Sequence, residues 1–535
     1  MSDAEIYNLF AAEAPDPATV DYALFETKTD PSVLGANYVQ TNTGTIRLLT
    51  RDIDSWCLPH EAVLRVKFQL SQLSTAAAPL AASMAALTNG GWHIFRDLQI
   101  NLNGKMIDRV DLPGKVQIMK AYAQDANIFD DSTCDNSWFY PEVASRTDFT
   151  TLAGAARQNT KFIGAAQPLK FNGTASVKSY AQDAFYNESF RRRYQRLCGD
   201  SNPPRAGQEV ELWLKLSDVS GFCEHIDKVI RGVSFEVVLN RDTDWNRIIH
   251  RSKADGTTSM AVAAGDSTTD AASGGVAGAA DCKLIVNEVS MWMPRLVPSQ
   301  AVASALEAQL AASAQTKYMF ENATCYQSEI YTAQNGSRNI RWKIVSEAHR
   351  PVMALIGFQS EYQYSQQYDN RNPQYILDAG DVYTAAVGSR PQNGLVNKSL
   401  FSRLGDITQV EMRVNQRIVP TESYRISFAD ESAVRAFHDF RRAYNKDDPR
   451  ISTLMSWDTW RESPIFAIDL SMIGDENIYG GVKTNDIELR ATLVSADSVE
   501  TNYSFKSGDF QVFCVLFTEV EMKVDAVNGR LVYVP

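Results

Sequence analysis

The feature of this sequence that most constrains its fold is a short alternating stretch that occurs twice. Residues 98–107 read LQINLNGKMI, and residues 410–419 read VEMRVNQRIV. In both stretches apolar and polar residues alternate, which is typical of a β-strand with one buried face. An Asn-Gly or Asn-Gln pair follows, and such pairs tolerate the positive φ of a turn. Each stretch is therefore predicted to be a strand that ends in a turn.

The surroundings of the two stretches repeat as well, in the same order. A segment with apolar residues at helical spacing follows each of them, at residues 114–123 and 432–444. The other matching stretches are strand-like: 60–69 with 349–359, 210–216 with 466–472, 233–239 with 487–493, and 287–293 with 518–524. Because the spacing between partners differs from pair to pair, the loops differ in length while the strands are shared. The sequence predicts an all-β protein with two tandem copies of one domain.

The domain organisation follows from where these matches begin and end. Residues 1–43 are predicted to be an acidic N-terminal arm, either a partly ordered terminus or a segment that orders on a neighbouring subunit. Residues 44–297 form the first domain, residues 298–320 an Ala-rich linker helix, and residues 321–535 the second domain. A chain of 535 residues is long enough for two such cores.

Composition and charge argue against several classes of protein. The formal net charge of −12 disfavours a protein whose main task is to bind nucleic-acid phosphates. No unbroken apolar stretch reaches the length of a transmembrane helix, and the first residues lack the basic region of a secretory signal. The seven cysteines include no C-x-x-C pair, which favours reduced thiols in a cell interior.

A search for motifs of catalysis, metal binding or cofactor binding is negative. The six histidines never occur at ligand spacing, and the tripeptide 223–225 (Cys-Glu-His) cannot direct three side chains at one metal ion. We therefore expect no catalytic residue, no metal and no cofactor, and we expect that the protein is not an enzyme. Carboxylates are too numerous for a glycosidase pair to be singled out. A carbohydrate-binding or carbohydrate-active tandem β-sandwich protein therefore stays open.

One dense basic cluster stands out, with Arg191, Arg192, Arg193 and Arg196 interleaved with aromatic residues. Arginine side chains bind phosphates through paired hydrogen bonds, so these four are candidates for contact with nucleic acid or with another subunit. The alternative reading is a solvated loop or a patch of salt bridges between subunits.

Three segments carry a resemblance to a known family. Residues 94–107 (IFRDLQINLNGKMI) resemble its strand and turn ahead of a helix. Residues 193–242 resemble its run of strands that closes the first domain, and residues 282–297 (CKLIVNEVSMWMPRLV) resemble the strand before its linker helix. On these residues the chain resembles the double jelly-roll major capsid proteins of the adenovirus, polinton, virophage and giant-virus lineage, and most of all polinton-like or adintovirus-like capsids.

The resemblance implies two tandem eight-stranded antiparallel jelly-roll sandwiches, with short helices in the loops and a linker helix. It also implies a function: a structural major capsid protein that forms trimeric, pseudo-hexameric capsomers of an icosahedral DNA virus shell. The expected location is the virion capsid, assembled inside the infected host cell. The expected partners are the chain itself as a homotrimer, neighbouring capsomers, and penton and minor capsid proteins, with packaged DNA contacted only weakly or indirectly.

A minor capsid or vertex protein of the same particle is a further alternative. Such a protein usually has one jelly roll, so the internal repeat counts against it. In the capsid interpretation, the long excursions 124–206, 254–281 and 361–405 form outer towers and contacts between subunits. Their aromatic runs, 138–140, 185–186 and 362–368, have two readings, as core residues or as interface contacts.

Overall fold

In a computed structural model of the protein, strands dominate and the helices are short. The residues that the structure describes are 20–28, 45–50, 56–72, 83–87, 89–123, 136–140, 193, 196, 209–227, 230, 233–242, 249–253, 282–298, 303–305, 308, 316–331, 337–360, 406–427, 432–444, 453–455, 457, 460, 464–471, 485–494, 510–524 and 531–534. They fall into two halves, one on each side of residues 303–308.

The first half contains the strands and helices up to residue 298. Its strands are β1 (Val20–Lys28), β2 (Ile46–Leu49), β3 (Trp56–Cys57), β4 (Val63–Gln72), β5 (Ser83–Leu87), β6 (Phe95–Leu102), β7 (Lys105–Asp111), β8 (Val210–Lys215), β9 (Phe235–Arg241), β10 (Ile249–Lys253) and β11 (Cys282–Pro298). Its helices are α1 (Pro113–Ala123) and α2 (Gly221–His225). Helix α1 lies where the apolar spacing predicts it.

The second half begins at residue 316. Its strands are β12 (Thr316–Gln327), β13 (Ser337–Ala348), β14 (Pro351–Ser360), β15 (Asp406–Val414), β16 (Arg417–Arg425), β17 (Ile465–Asp469), β18 (Asn485–Val494), β19 (Phe510–Val524) and β20 (Leu531–Val534). Its helix α3 (Val434–Arg442) lies within the segment 432–444 that the sequence predicts to be helical.

Each half folds into two antiparallel sheets of four principal strands. In the first half the strand orders are β1-β11-β4-β8 and β2-β9-β6-β7, and in the second half they are β12-β19-β14-β17 and β13-β18-β15-β16. When the eight principal strands of either half are numbered along the chain, one sheet has the order 1-8-3-6 and the other the order 2-7-4-5. This is the strand order of a jelly roll, and the chain contains it twice.

The repeated alternating stretch occupies the same place in both halves. Residues 98–107 run from β6 through a turn into β7, and residues 410–419 run from β15 through a turn into β16. The first turn residue, Asn103 or Asn415, has a φ of 50° in both halves. Both predictions of a strand that ends in a turn are therefore confirmed.

Apolar residues on alternating positions of these strands fill the interior of each sandwich. They include Leu98, Ile100 and Leu102 on β6, and Val410, Met412 and Val414 on β15. Burying one such side chain stabilises the fold by roughly 1.5–3 kcal/mol, so the alternation determines which side of each strand faces inward.

Two strands lie where the sequence predicts other structure. Strand β1 falls within the predicted arm of residues 1–43, yet it pairs with β11 along its whole length. Strand β12 begins at Thr316, within the predicted linker 298–320, of which residues 303–305 and 308 are helical. Both strands are the first of their sandwich and pair with the last one, so their partners lie far along the chain and leave no local signal.

Candidate functional site at the seam between the two sandwiches

The two sandwiches pack directly against each other, and we call the contact between them the seam. Strand β12 of the second half lies against β7, α1 and α2 of the first half. Strand β7 is the fifth principal strand of its jelly roll, and the two helices follow the fifth and sixth. The seam therefore joins unlike parts of two similar domains.

Gly221 marks the closest approach across the seam. It is the first residue of α2, and a Cβ at this position would overlap the backbone carbonyl oxygen of Glu321 on β12. No side-chain movement relieves this overlap because the opposing atom belongs to the backbone. The ring of Phe222 lies edge to face with that of Phe320, with 5.5 Å between ring centroids. These two neighbours set the distance between the halves.

Lys115 of α1 reaches across the seam into the second half. Its Nζ donates a hydrogen bond of 2.9 Å to Oε1 of Gln359 on β14, and it lies 4.9 Å from the centroid of the Phe513 ring on β19. All three side chains are buried. A buried ammonium group is costly unless it is hydrogen-bonded, so this contact favours one orientation of the halves over others.

The second half presents an apolar surface at the seam. We use outer face for the side of a 1-8-3-6 sheet that points away from the interior of its own sandwich. On the outer face of the second half, Leu355, Phe513, Val515 and Phe517 are buried. Lys115 covers part of this face from the first half. The outer face of the second half is thus closed within a single chain.

The outer face of the first half is charged and open. Arg65 lies 2.9 Å from Glu211 and 3.8 Å from Glu288, and Lys67 lies 3.2 Å from Glu288. The hydrogen bond from Arg65 lowers the pKa of Glu211 below its ordinary value. Two tryptophan rings lie beside these pairs, 5.6 Å apart. We define the charged outer face as Arg65, Lys67, Glu211, Trp213, Glu288 and Trp292.

Acidic residues of the first half hold a buried lysine behind the seam. Lys120 is 1% exposed, and its Nζ lies 2.6 Å from Oε2 of Glu224 on α2. Asp108 on β7 accepts a hydrogen bond of 2.5 Å from the Ser220 hydroxyl. Burial raises the pKa of Asp108 and raises that of Asp218 to about 6, while Lys120 opposes both shifts. These groups connect β7, α1 and α2, the three first-half elements of the seam.

Tyr444 closes the seam from the second half. It lies just beyond α3, and its ring packs edge to face on Phe517 with 5.9 Å between centroids. Burial raises the pKa of its hydroxyl well above the ordinary value, and the charges of Glu224 and Glu321 raise it further. Because Glu224 belongs to the first half and Glu321 to the second, Tyr444 stays protonated beside carboxylates from both.

A groove of about 230 Å³ lies beside α3 in the second half. Asp439 accepts a hydrogen bond of 2.7 Å from the Tyr424 hydroxyl, and Asp469 accepts hydrogen bonds from Ser471. Both carboxylates are thus engaged within the chain, and Tyr424 is the one aromatic residue among those that line the groove. The lining residues are Met353, Pro420, Tyr424, Asp439, Arg442, Ala443, Ala467 and Asp469.

Within the described ranges, no group of three or more His, Cys, Asp or Glu side chains could hold a metal ion. The side chains of the tripeptide 223–225 serve different neighbours. Glu224 pairs with Lys120, Nδ1 of His225 lies 3.0 Å from the Gly221 carbonyl oxygen, and burial raises the pKa of the Cys223 thiol. A separate search of the same ranges finds no helix that is long and apolar enough to cross a membrane.

Comparisons with known proteins add to this picture. No family model and no curated protein matches the chain. A chain in the 3.5 Å cryo-EM structure of the Sputnik virophage matches with a TM-score of 0.53 and 9% identity, over 96% of this chain and 88% of that one. The mavirus major capsid protein matches with a TM-score of 0.48 and 11% identity, over 98% and 91%. The Faustovirus major capsid protein matches with a TM-score of 0.45 and 9% identity, over 97% and 94%.

The Sputnik match runs along most of both chains, and it agrees with a strand order that occurs twice. The chain is a double jelly roll. The predicted fold class is confirmed, and the resemblance to double jelly-roll capsid proteins is confirmed at the level of the fold.

In this double jelly roll the predicted arginine cluster is partly internal. Arg193 is 0% exposed, and its Nη1 donates a hydrogen bond of 2.6 Å to the carbonyl oxygen of Leu87. Arg196 donates one of 3.2 Å to the Tyr140 hydroxyl. Arg193 therefore has no exposed surface in a single chain with which to contact nucleic acid. The other two members, Arg191 and Arg192, lie outside the described residues, and their contacts stay a prediction.

The aromatic run 138–140 belongs to the core of the double jelly roll. Its three side chains are buried, and Trp138 packs edge to face on Phe68 with 5.7 Å between ring centroids. The core reading therefore holds for this run. Residues 185–186 and 362–368 lie outside the described part of the chain.

The sequence did not single out the residues that build the seam of the double jelly roll. Lys115 and Lys120 are the clearest signal that was available, because they interrupt a helix that is otherwise mostly apolar. Every residue of α1 is buried, including both lysines. A lysine in such a helix needs a buried partner, and here the partners are Gln359 and Glu224.

Proposed function

We propose that this double jelly roll is the structural major capsid protein of an icosahedral DNA virus shell and acts as a homotrimer. The observation that carries the proposal is the seam, which joins two similar sandwiches through unlike surfaces. A contact between unlike surfaces leaves two surfaces of the chain unused, because each sandwich still exposes the surface that the other one uses in the seam. The same contact is therefore available between chains.

A head-to-tail contact closes into a ring when the rotation between neighbours divides a full turn. Three chains with two sandwiches each give six similar units around the axis, and an outline close to sixfold lets the rings tile a shell. The fold shared with a chain from a virophage structure supports this role. Closure at three chains is part of the proposal.

In this role the protein resides in the virion capsid, after assembly inside the infected host cell. Its partners are the other chains of the trimer, neighbouring capsomers, and penton and minor capsid proteins. Packaged DNA is contacted weakly or indirectly, in keeping with the net charge of −12. We assign no catalytic step to the chain, because the proposed role needs only stable surfaces.

Size-exclusion chromatography with light scattering tests this proposal, followed by electron microscopy of the same fraction. We expect a species of three times the chain mass of 59.5 kDa, with a nearly hexagonal outline in end-on views. A chain that stays monomeric at every concentration tested would contradict the proposal. A monomer that binds a glycan in an array experiment would support the carbohydrate alternative instead.

Neither alternative is favoured by the structure. A minor capsid or vertex protein usually has one jelly roll, whereas this chain has two. A sugar-binding cleft usually offers aromatic faces and free polar groups, but the carboxylates of the groove beside α3 are hydrogen-bonded within the chain.

A further inference from the structure

We propose that the charged outer face of one chain binds the open flank of a second copy of the chain, head to tail. The open flank is defined as β16 (Arg417–Arg425) and α3 (Val434–Arg442) of the second half. This inference rests on the proposed self-assembly, and it adds which two surfaces meet and what holds them together.

The seam supplies the template for this contact. Within one chain, the outer face and first strand of the second half pack against β7, α1 and α2 of the first half. Because both halves share one strand order, each side of the seam has a counterpart elsewhere in the chain. The charged outer face is the counterpart of the covered apolar one, and the open flank is the counterpart of β7 and α1.

Both counterparts are open in a single chain. Helices α1 and α3 each follow the fifth strand of their sandwich, and every residue of α1 is buried, whereas only Ala436 and Phe440 of α3 are. Val434 at the start of α3 is 58% exposed. Strand β16, which precedes α3, is likewise mostly accessible to solvent, and its single buried residue is Tyr424. The two open surfaces are therefore the ones that a repeated seam would bring together.

The charges on the two surfaces suit each other. The open flank has five arginines against two carboxylates, and one of these carboxylates, Glu422, lies 3.4 Å from Arg435. The arginines are Arg417, Arg425, Arg435, Arg441 and Arg442, and the second carboxylate is Asp439. The charged outer face offers partly exposed carboxylates of Glu211 and Glu288, which can accept further hydrogen bonds from arginine. Ion pairs at a partly exposed contact weaken in salt, whereas burial of apolar surface does not. Salt should therefore separate the copies and leave each chain folded.

Three single substitutions test the assignment. Val434→Glu places a carboxylate on the open flank, and Glu288→Ala removes from the charged outer face a carboxylate that can accept hydrogen bonds from the arginines of the flank. Met106→Glu is the matched control, because Met106 is 50% exposed beside the β6–β7 turn and lies on neither surface. By light scattering over a dilution series, we expect at least a tenfold higher dissociation constant for the two surface variants and no change for the control. Thermal unfolding of each variant shows whether the monomer is intact.

A mixing experiment tests the head-to-tail geometry. The Val434→Glu chain keeps a working charged outer face, and the Glu288→Ala chain keeps a working open flank. We expect an equimolar mixture to form one-to-one dimers that cannot close into a ring. If each surface bound the same surface of another chain, the Val434→Glu chain would dimerise with itself through its intact charged outer face. That result would overturn the assignment.

The outcomes also separate this inference from the proposed function. If the wild type is trimeric and the Val434→Glu and Glu288→Ala variants associate as tightly as it does, the surface assignment is overturned and the trimer stands. A wild-type chain that never associates would overturn the proposed function itself. When NaCl is raised from about 0.1 M to about 1 M, we expect the copies to separate with an unchanged far-UV circular dichroism spectrum. Trimers that persist until the chain unfolds would overturn the ion-paired contact.

Discussion

The two outer faces of the 1-8-3-6 sheets have the same place in the fold and opposite chemistry. Arg65 and Leu355 occupy matching positions on the third strands, and one is ion-paired and half-buried while the other is fully buried. The face that is covered by its own chain is apolar. The other face is the one that we propose to bind a second copy. It must stay compatible with water in a free chain, which its charged side chains allow. The two sandwiches thus share an apolar interior and differ on the outer faces, which have different neighbours.

The largest expected effect concerns the lysine behind the closed seam. Lys120→Ala should lower the free energy of unfolding by about 3–4 kcal/mol, because it removes a buried cation from the partly exposed Glu224 and the buried Asp108. Urea unfolding measures the change. Lys67→Ala on the charged outer face is the matched control, with an expected cost of about 1 kcal/mol or less. An equal loss of stability in the two variants would contradict the difference between the closed seam and the open charged outer face.

The close approach at the seam predicts the next effect. Gly221→Ala should lower the free energy of unfolding by about 3 kcal/mol, because the added Cβ would overlap the backbone of Glu321 and the halves must move apart. Gly104→Ala is the control, because Gly104 has open space around it and a φ of 73°, so only backbone strain of about 1–2 kcal/mol is expected. A Gly221 variant that is no less stable than the Gly104 variant would show that the halves are not held this closely.

Substitutions at the matching positions test the comparison itself. Leu355→Ala should lower the free energy of unfolding of the isolated chain by about 2–3 kcal/mol, because it leaves a cavity beside a sheet that is covered on both faces. Arg65→Ala should lower the free energy of unfolding by about 1 kcal/mol or less in the same monomer assay. If Arg65→Ala destabilised the monomer as much as Leu355→Ala, the first outer face would already be closed within the chain.

The last prediction concerns a dependence of stability on pH. Burial raises the pKa of Asp218 from 3.8 to about 6 in the folded chain. Between these values the folded chain holds a proton that the unfolded chain has lost, so this residue's contribution to stability is present below pH 4 and is lost as the pH rises through about 6. The melting temperature of Asp218→Asn should lack this part of the decline between pH 4 and pH 7. Parallel curves for the variant and the wild type would contradict the assignment.

Much of the fold could be predicted from the sequence because the signal was local and occurred twice. Alternation located the interior strands, and the Asn residues located their turns at Asn103 and Asn415. Strand β1 was assigned to the arm because its acidic sequence lies between prolines, and the strand with which it pairs, β11, lies far along the chain. Pairing of that kind depends on residues far along the chain.

The seam could not be predicted for the same reason. Gly221 reads as an ordinary turn glycine until Glu321 is placed beside it, and Lys115 gives no indication that Gln359 is its partner. The arginine cluster shows a second limit of local sequence patterns. Its composition suggested a surface, but Arg193 is satisfied inside the first sandwich by the Leu87 carbonyl.

A cryo-EM map of the purified protein would show the contact between chains itself. We expect a ring of three chains with six sandwiches, in which each charged outer face lies against β16 and α3 of the next chain. We also expect this contact to repeat the strand arrangement of the seam within each chain. A lone chain with both surfaces exposed, or a ring in which like surfaces meet, would contradict the proposal.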